Sequence, residues 1–210
     1  MPFIAFEGLD GSGKSTLIRG LTEHLKQAKV QFVLTREPGG TGLAEEIRNI
    51  LLKIDDEVPD ARTEALLYQA SRAQHVERVI LPALKKNLWV ICDRFSASSI
   101  AFQSFARGLA RAEIEWLNRF STQNTFPDLN VLLDLSVEES QQRMAGRNLT
   151  LGQEHDRFER EQSEFHQKVR DGFLFQAKSE PNKWLVLNAN QTSEKLTQLL
   201  IQDLKTRKYL

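Results

Sequence analysis

A glycine-rich segment near the amino end constrains this chain more than any other feature. Residues 8–15 are Gly-Leu-Asp-Gly-Ser-Gly-Lys-Ser. A glycine, four further residues, and then glycine, lysine and serine make the Walker A pattern of a phosphate-binding loop. An apolar run precedes the segment and a helical pattern follows it, which is the strand–loop–helix context that the pattern requires. The segment therefore predicts a nucleoside triphosphate site.

Each residue type in this loop has a physical role. Gly8, Gly11 and Gly13 allow the backbone to wrap around phosphate oxygens with its N–H groups pointing inward. A helix that begins near Lys14 adds its positive end. Lys14 can reach the β- and γ-phosphates, and the Ser15 hydroxyl can bind Mg²⁺. The predicted ATP-binding residues are Gly8, Leu9, Asp10, Gly11, Ser12, Gly13, Lys14, Ser15 and Thr16.

Hydrophobic patterning predicts the surrounding fold. Five short apolar runs read as strands that are covered on both faces, as in a parallel sheet. Amphipathic stretches with helical spacing alternate with them, so we expect one three-layer α/β domain over residues 1–210, a P-loop NTPase fold whose five-stranded parallel sheet is flanked by helices. The predicted strands are 3–6, 31–34, 88–92, 129–135 and 184–187, and the helical stretches include 15–28, 63–84 and 192–210.

Composition excludes several classes of protein. Lys and Arg number 28 and Asp and Glu also number 28, so there is no basic excess for nucleic acid or an anionic membrane. The one cysteine, Cys92, excludes an intramolecular disulfide. The apolar runs are too short to span a bilayer, and the first residues do not resemble a signal peptide. We expect a cytoplasmic protein without nucleic-acid or membrane partners.

Two charged segments follow predicted strands and point to a second anion site. Asp93 and Arg94 come directly after run 88–92, and Thr35-Arg36-Glu37-Pro38-Gly39-Gly40 follows run 31–34. The carboxyl ends of parallel strands line the ligand crevice of such folds. Arg94 there could bind a monophosphate and Asp93 could hold Mg²⁺ through water. A surface ion pair and an ordinary Pro-Gly turn are the alternatives.

A third segment lies inside a predicted helix. Tyr68 and Arg72 are four residues apart and therefore share one helix face. A ring and a guanidinium side by side could stack on a nucleobase and donate to its carbonyl. The alternative is a solvated arginine beside a half-buried tyrosine, which is commoner when no other motif is present.

Taken together, these motifs resemble those of the bacterial thymidylate kinases, in the nucleoside monophosphate kinase group. The resemblance covers essentially the whole chain and rests on segments in the same order and spacing. These segments are 7–16, 35–41, 72–75, 93–95, 101–103 and 156–159. It implies ATP-dependent phosphorylation of dTMP to dTDP with Mg²⁺, in a cytoplasmic homodimer.

The resemblance also implies individual roles. Tyr68 would stack on thymine and Arg72 would donate to its O4, while Arg94 would hold the acceptor phosphate. Asp10 would face the 3′-hydroxyl and Phe102 would crowd the 2′ position. The full set of implied dTMP-binding residues is Asp10, Pro38, Tyr68, Arg72, Arg94, Ser99, Phe102 and Gln103.

The resemblance implies that the transition-state cation comes from a lid. Some members of the family carry an arginine in the phosphate loop, but Gly11 occupies that position here. Residues 143–160 are rich in arginine and poor in aliphatic residues, so we predict a lid there, with a loop at 148–153. Arg147 is the first candidate for the catalytic cation and Arg143 is the second. Lys14, Arg94, Arg147 and Asp10 form the predicted catalytic group.

Two other functions remain compatible with the sequence. One is a kinase of another small acceptor, either a different nucleoside monophosphate or a metabolite. The other is a P-loop regulator that signals through its ATP state. Acceptor-independent ATP turnover would indicate the regulator, and a panel of acceptors would separate the kinases.

Overall fold

The computed structural model describes residues 1–53, 57–151 and 157–210. For residues 147–151 it describes the backbone only. Strands and helices alternate along the chain, as the sequence predicts. The strands are β1 (Phe3–Glu7), β2 (Phe32–Arg36), β3 (Trp89–Asp93), β4 (Leu129–Asp134) and β5 (Trp184–Asn188). The helices are α1 (Lys14–Gln27), α2 (Gly42–Leu52), α3 (Ala61–His75), α4 (Leu81–Lys85), α5 (Ser96–Ser99), α6 (Arg111–Thr122), α7 (Val137–Leu151), α8 (Ser163–Ser179) and α9 (Ser193–Thr206).

The five strands form one parallel sheet in the order β2-β3-β1-β4-β5. All of their carboxyl ends therefore lie at one edge. β1 is central and its Phe6 pairs with Asp93 of β3 on one side and with Val131 of β4 on the other. The loops that follow β1, β2 and β3 meet at this edge, where the sequence predicts the ligand crevice.

Alternate residues of β1 face two separate helical layers. Ile4 and Phe6 belong to a buried cluster with α1 and α9, whereas Phe3 and Ala5 pack with residues of β3 and the segment after α3. A strand that is buried on both faces has a continuous apolar sequence, which explains the patterns seen in the sequence. The predicted three-layer α/β fold is confirmed. No helix in the described part of the chain is long and apolar enough to cross a membrane.

The structure corrects some predicted boundaries. The predicted loop at 148–153 is wrong for its first four residues, because α7 continues to Leu151. These four residues alternate weak helix formers, Asn148 and Thr150, with strong ones, Leu149 and Leu151, so their composition does not prevent a helix. The predicted helix 63–84 contains a π-helical stretch, Val76–Ile80, and a second one, Ile100–Ala106, follows α5. Residues 152–153 lie outside the described residues.

Helix α8 lies close to the second π-helical stretch because it carries a glycine at the contact. A Cβ at Gly172 would lie 2.9 Å from the Cα of Ala101 and 2.9 Å from the Phe105 ring. Gly172→Ala should therefore destabilise the protein by about 1–3 kcal/mol through overpacking. Gly146→Ala is the matched control, since it also adds a methyl group to a helix, and no atom of the described residues would lie within 4 Å of that group. It should stabilise by up to about 1 kcal/mol.

Urea unfolding of both variants and the wild type measures these differences. Equal effects of the two substitutions would contradict the packing of α8 described here.

Candidate active site

The phosphate loop fits closely against β4. Gly8, Gly11 and Gly13 all have positive φ, at 136°, 75° and 96°. A Cβ at Gly8 would lie 2.6 Å from the carbonyl oxygen of Leu133, a contact that only glycine avoids. The Ser140 hydroxyl of α7 donates to the Asp10 carbonyl at 2.6 Å, which ties the loop to the helix that leads into the predicted lid.

The Lys14 ammonium lies inside this loop. It donates to the carbonyl oxygens of Gly8 and Leu9 at 3.1 and 3.0 Å, and it lies 3.6 Å from Asp10 Oδ1. Burial and the nearby Arg94 cation lower the pKa of Lys14, while the surrounding carboxylates oppose this change. A buried cation held by loop carbonyls is positioned to exchange these weak acceptors for phosphate oxygens.

Arg94 follows the carboxyl end of β3 and connects it to the phosphate loop. Its Nη2 donates to Asp10 Oδ1 at 2.8 Å, and its guanidinium lies over the Phe102 ring at 5.3 Å. Its backbone has φ 66°, which is uncommon for a residue with a side chain. Although burial opposes its charge, the carboxylates of Asp10, Glu7 and Asp93 raise the pKa of Arg94. Arg94 therefore remains a cation in the crevice.

Two cavities meet at this point. The cavity around the phosphate loop and a second cavity share Asp10, Glu37, Arg48 and Arg94. The phosphate cavity is lined by Asp10, Gly11, Gly13, Lys14, Ser15, Thr16, Arg36, Glu37, Arg48, Asp93, Arg94 and Arg143. The second cavity is lined by Asp10, Glu37, Pro38, Arg48, Leu52, Tyr68, Arg72, Arg94, Phe95, Ser98, Ser99, Phe102, Gln103 and Phe158. The shared wall contains two cations, Arg48 and Arg94, beside two carboxylates, and the two cations suit two adjoining phosphoryl groups.

The structure brings all eight predicted acceptor-site residues to the second cavity. Its apolar wall is aromatic, since Phe158 meets Tyr68 and Phe102 edge-on with ring centroids 6.2 and 5.8 Å apart. The Gln103 amide is engaged by Glu64, to which it donates at 2.9 Å. Arg72 is almost fully buried and is held by several acceptors of the protein.

Sequence reasoning missed several residues of the two cavities. Arg48 lies on α2, a short helix that the patterning did not single out, and its Nη1 donates to the Pro38 carbonyl at 3.1 Å. Glu37 was part of a recognised segment, but its burial between Arg72 and His75 could not be seen from the sequence. Phe158 lies inside the predicted lid, in a segment that the resemblance includes, but the sequence did not assign it to the acceptor cavity.

The structure describes one of the two candidate lid arginines. Arg143 lines the phosphate cavity and donates to the Ala189 carbonyl and to Asn190 Oδ1, at 3.0 and 3.1 Å. Arg147 lies on α7, but its side chain is outside the described residues. The choice between them stays a prediction.

Comparison with known proteins decides the family. The family model described as thymidylate kinase matches residues 6–200. The chain belongs to the thymidylate kinase family. It is 50% identical to a thymidylate kinase of Bdellovibrio bacteriovorus over 210 residues, which cover 100% of this chain and 98% of the relative.

More distant members of the thymidylate kinase family match over similar lengths. The identity with a thymidylate kinase of Bacillus cereus strain Q1 is 42% over 200 residues, or 95% of each chain. A solved structure, the thymidylate kinase from Ehrlichia chaffeensis, superposes with a TM-score of 0.77 at 33% identity and covers 97% of this chain and 98% of its own. The family therefore accounts for the whole architecture rather than for the phosphate loop alone.

Glu7 is a buried carboxyl group at the end of β1. It accepts from the Phe95 N–H at 2.9 Å and from the Ser98 hydroxyl at 2.6 Å. Burial raises the pKa of Glu7 from 4.5 to about 7, against the opposing effects of Arg94 and these hydrogen bonds. The folded protein therefore keeps a proton between about pH 4.5 and 7 that the unfolded chain releases.

This difference predicts a pH-dependent stability. As pH rises from 5 to 8 the wild type should lose about 2.5 kcal/mol of unfolding free energy relative to Glu7→Gln, because only the carboxyl group ionises. Urea unfolding at both pH values measures the gap. The exposed Glu23→Gln variant is the control and should follow the wild type. If the difference in unfolding free energy between Glu7→Gln and the wild type does not change with pH, the raised pKa of Glu7 is contradicted.

Proposed function

We propose that the protein transfers the γ-phosphoryl group of ATP to dTMP and so forms dTDP. The observation that carries this proposal is the pair of adjoining cavities, one around a Walker A loop and one aromatic, that share Arg94. Membership of the thymidylate kinase family supports dTMP as the acceptor. Membership of this family also supports the cytoplasmic location that we propose.

On the donor side, we propose that the loop residues 8–16 bind the ATP phosphates. Backbone N–H groups of the loop and the positive end of α1 attract the anion, and Lys14 leaves the loop carbonyls to contact the β- and γ-phosphates. Phosphoryl transfer requires positioning and charge neutralisation more than a strong base. Lys14, a cation already held beside the loop, would contribute to both positioning and charge neutralisation.

The residues of the phosphate cavity fit Mg²⁺. Ser15 and Asp93 both line the cavity. Asp93 Oδ1 is buried and has no hydrogen-bond partner among the described residues, which suits an oxygen that binds a cation directly or through water. When bound, Mg²⁺ would neutralise charge on the β- and γ-phosphates. Mg²⁺ commonly relies on few protein ligands, and the described residues contain no cluster of three His, Cys, Asp or Glu that could hold a metal.

On the acceptor side, we propose that Arg94 binds the dTMP phosphate and that Tyr68 stacks on thymine. Arg94 faces both cavities, so a phosphate bound to it would adjoin the transferring group. Asp10 would release Arg94 and face the 3′-hydroxyl, while Phe102 would crowd the 2′ position. Ser99, Gln103 and Pro38 complete the wall of the proposed pocket, and Arg72 would donate to O4.

We also propose a homodimer through α3 and α6. These helices pack together, and Trp116 and Phe120 of α6 stack on each other, with ring centroids 5.7 Å apart, while 56% and 72% exposed. Exposed Leu66 of α3 extends this apolar face. Arg62 and Glu113 line the same groove and carry opposite charges, so two copies related by a twofold axis can match cation to anion. The family resemblance implies a homodimer but does not specify which helices form its interface.

The direct test of the activity is ADP release with ATP and Mg²⁺ across a panel of nucleoside monophosphates. We expect a strong preference for dTMP and no turnover after chelation with EDTA. Equal rates with several monophosphates would support kinase activity but contradict the proposed thymine-binding site. ATP turnover that is independent of any acceptor would favour the regulator instead.

Lys14→Ala should lower turnover about a hundredfold or more, because the transferring charge loses its positioned cation. Lys26→Ala is the matched control, since Lys26 lies exposed on the same helix. It should keep wild-type rates. A Lys14→Ala variant with wild-type turnover would exclude the loop as the donor site.

Arg147→Ala should lower kcat by about 10³ with little change in KM, because a lid arginine acts on the transition state. Arg143→Ala should have a much smaller effect on kcat, since Arg143 is bonded to the loop after β5. Steady-state kinetics of both variants separate the roles. The reverse order of effects would assign the catalytic cation to Arg143.

The dimer predicts a mass of about twice 24.0 kDa by light scattering. Trp116→Glu combined with Phe120→Glu should give a folded monomer, because a charge would be buried twice at the twofold axis. Val186→Glu, an exposed apolar residue of β5, is the control and should stay dimeric. A monomeric wild type would overturn this interface.

A further inference from the structure

The guanidinium of Arg72 is enclosed by protein acceptors on three sides. The side chain is only 2% exposed. Its Nε donates to Glu37 Oε2 at 2.7 Å and its Nη2 donates to the Phe95 carbonyl at 3.1 Å. Among the described residues Nη2 has that single acceptor, so one of its two hydrogens is left for a ligand in the acceptor cavity.

The direction of this remaining hydrogen depends on the orientation of the planar guanidinium. The hydrogen bonds that Nη1 donates help to fix that orientation. Nη1 donates to Asn118 Oδ1 at 2.8 Å, to Ser99 Oγ at 2.9 Å and to Gln69 Oε1 at 3.2 Å. The Asn118 bond is the shortest of the three. Ser99 offers a rotatable hydroxyl, and the Gln69 oxygen also accepts from Ser121 at 2.6 Å.

Asn118 is itself held rigidly. It is 4% exposed, its Oδ1 also accepts from Gln69 Nε2 at 2.9 Å, and its Nδ2 donates to the Ser96 carbonyl at 3.1 Å. A satisfied buried amide keeps one orientation, because rotation would leave polar groups unpaired. Asn118 is therefore a fixed acceptor, supplied by a helix other than the one that carries Arg72.

We propose that Asn118 is a positioning residue for base recognition: it orients Arg72 so that its free N–H points at the carbonyl of a pyrimidine base. This inference rests on the proposed function, in which Arg72 donates to O4 of thymine. The same helix, α6, presents Trp116 and Phe120 outward. The base pocket and the proposed dimer face are thus built on opposite sides of one helix.

The test is the selectivity between dTMP and dCMP, whose amino group replaces the O4 acceptor with a donor. In Asn118→Ala, kcat/KM for dTMP should fall about tenfold, mostly through KM, because one charge-assisted contact that orients Arg72 is lost. The KM for ATP and the rate with dCMP should stay near wild type. The ratio of kcat/KM for dTMP to kcat/KM for dCMP should therefore decrease about tenfold.

Two further variants separate orientation of Arg72 from general destabilisation. Asn118→Asp keeps an oxygen for Arg72 but removes the donor to Ser96, and it should recover most of the selectivity. Thr122→Val removes a buried hydroxyl of α6 that donates to the Asn118 carbonyl and not to the amide side chain, and the selectivity of this variant should equal that of the wild type. Thermal unfolding of every variant monitors folding.

The outcomes are distinct. A wild type that does not phosphorylate dTMP overturns the proposed function and this inference with it. An active wild type with unchanged selectivity in Asn118→Ala overturns the inference alone. Asp and Ala variants that lose selectivity equally would assign the effect to the Ser96 contact and also overturn it.

Discussion

The ion pair between Asp10 and Arg94 is the contact around which the rest of the site is arranged. Its 2.8 Å separation joins the loop after β1 to the loop after β3, and these strands are neighbours in the sheet. Arg94 adopts φ 66° in this position. Both cavities end at this pair, so the two substrates of the proposed reaction would meet where the chain already concentrates charge.

The charges at this edge interact strongly, because Lys14, Arg94 and Glu7 are largely buried while Asp10 is partly exposed beside them. Lys14 and Arg94 lie within reach of the Asp10 carboxylate, and Glu7 lies behind them. Each cation is kept near an anion that a substrate phosphate could replace. Binding would then exchange partners rather than bring unpaired charge into the fold, which is the costly alternative in a buried site. This exchange suits a reaction whose main requirement is charge neutralisation.

Hydrophobic patterning predicted the sheet and its layers, and parallel topology and helical spacing drew attention to Arg94 and to the pair Tyr68 and Arg72. The other residues of the acceptor cavity were implied by the family resemblance. Sequence alone could not predict contacts that depend on how separate helices pack. Arg48 looks like any surface arginine until α2 is docked, and Asn118 looks like an ordinary polar residue of α6. Polar composition predicted a loop at 148–153, but composition does not determine where a helix ends, and α7 continues to Leu151.

A crystal structure with dTMP bound would test the exchange of partners at Arg94 directly. We expect Arg94 to leave Asp10 and bind the acceptor phosphate, with the base between Tyr68 and the remaining N–H of Arg72. A structure in which Arg94 still pairs with Asp10 while the dTMP phosphate lies elsewhere would contradict this exchange.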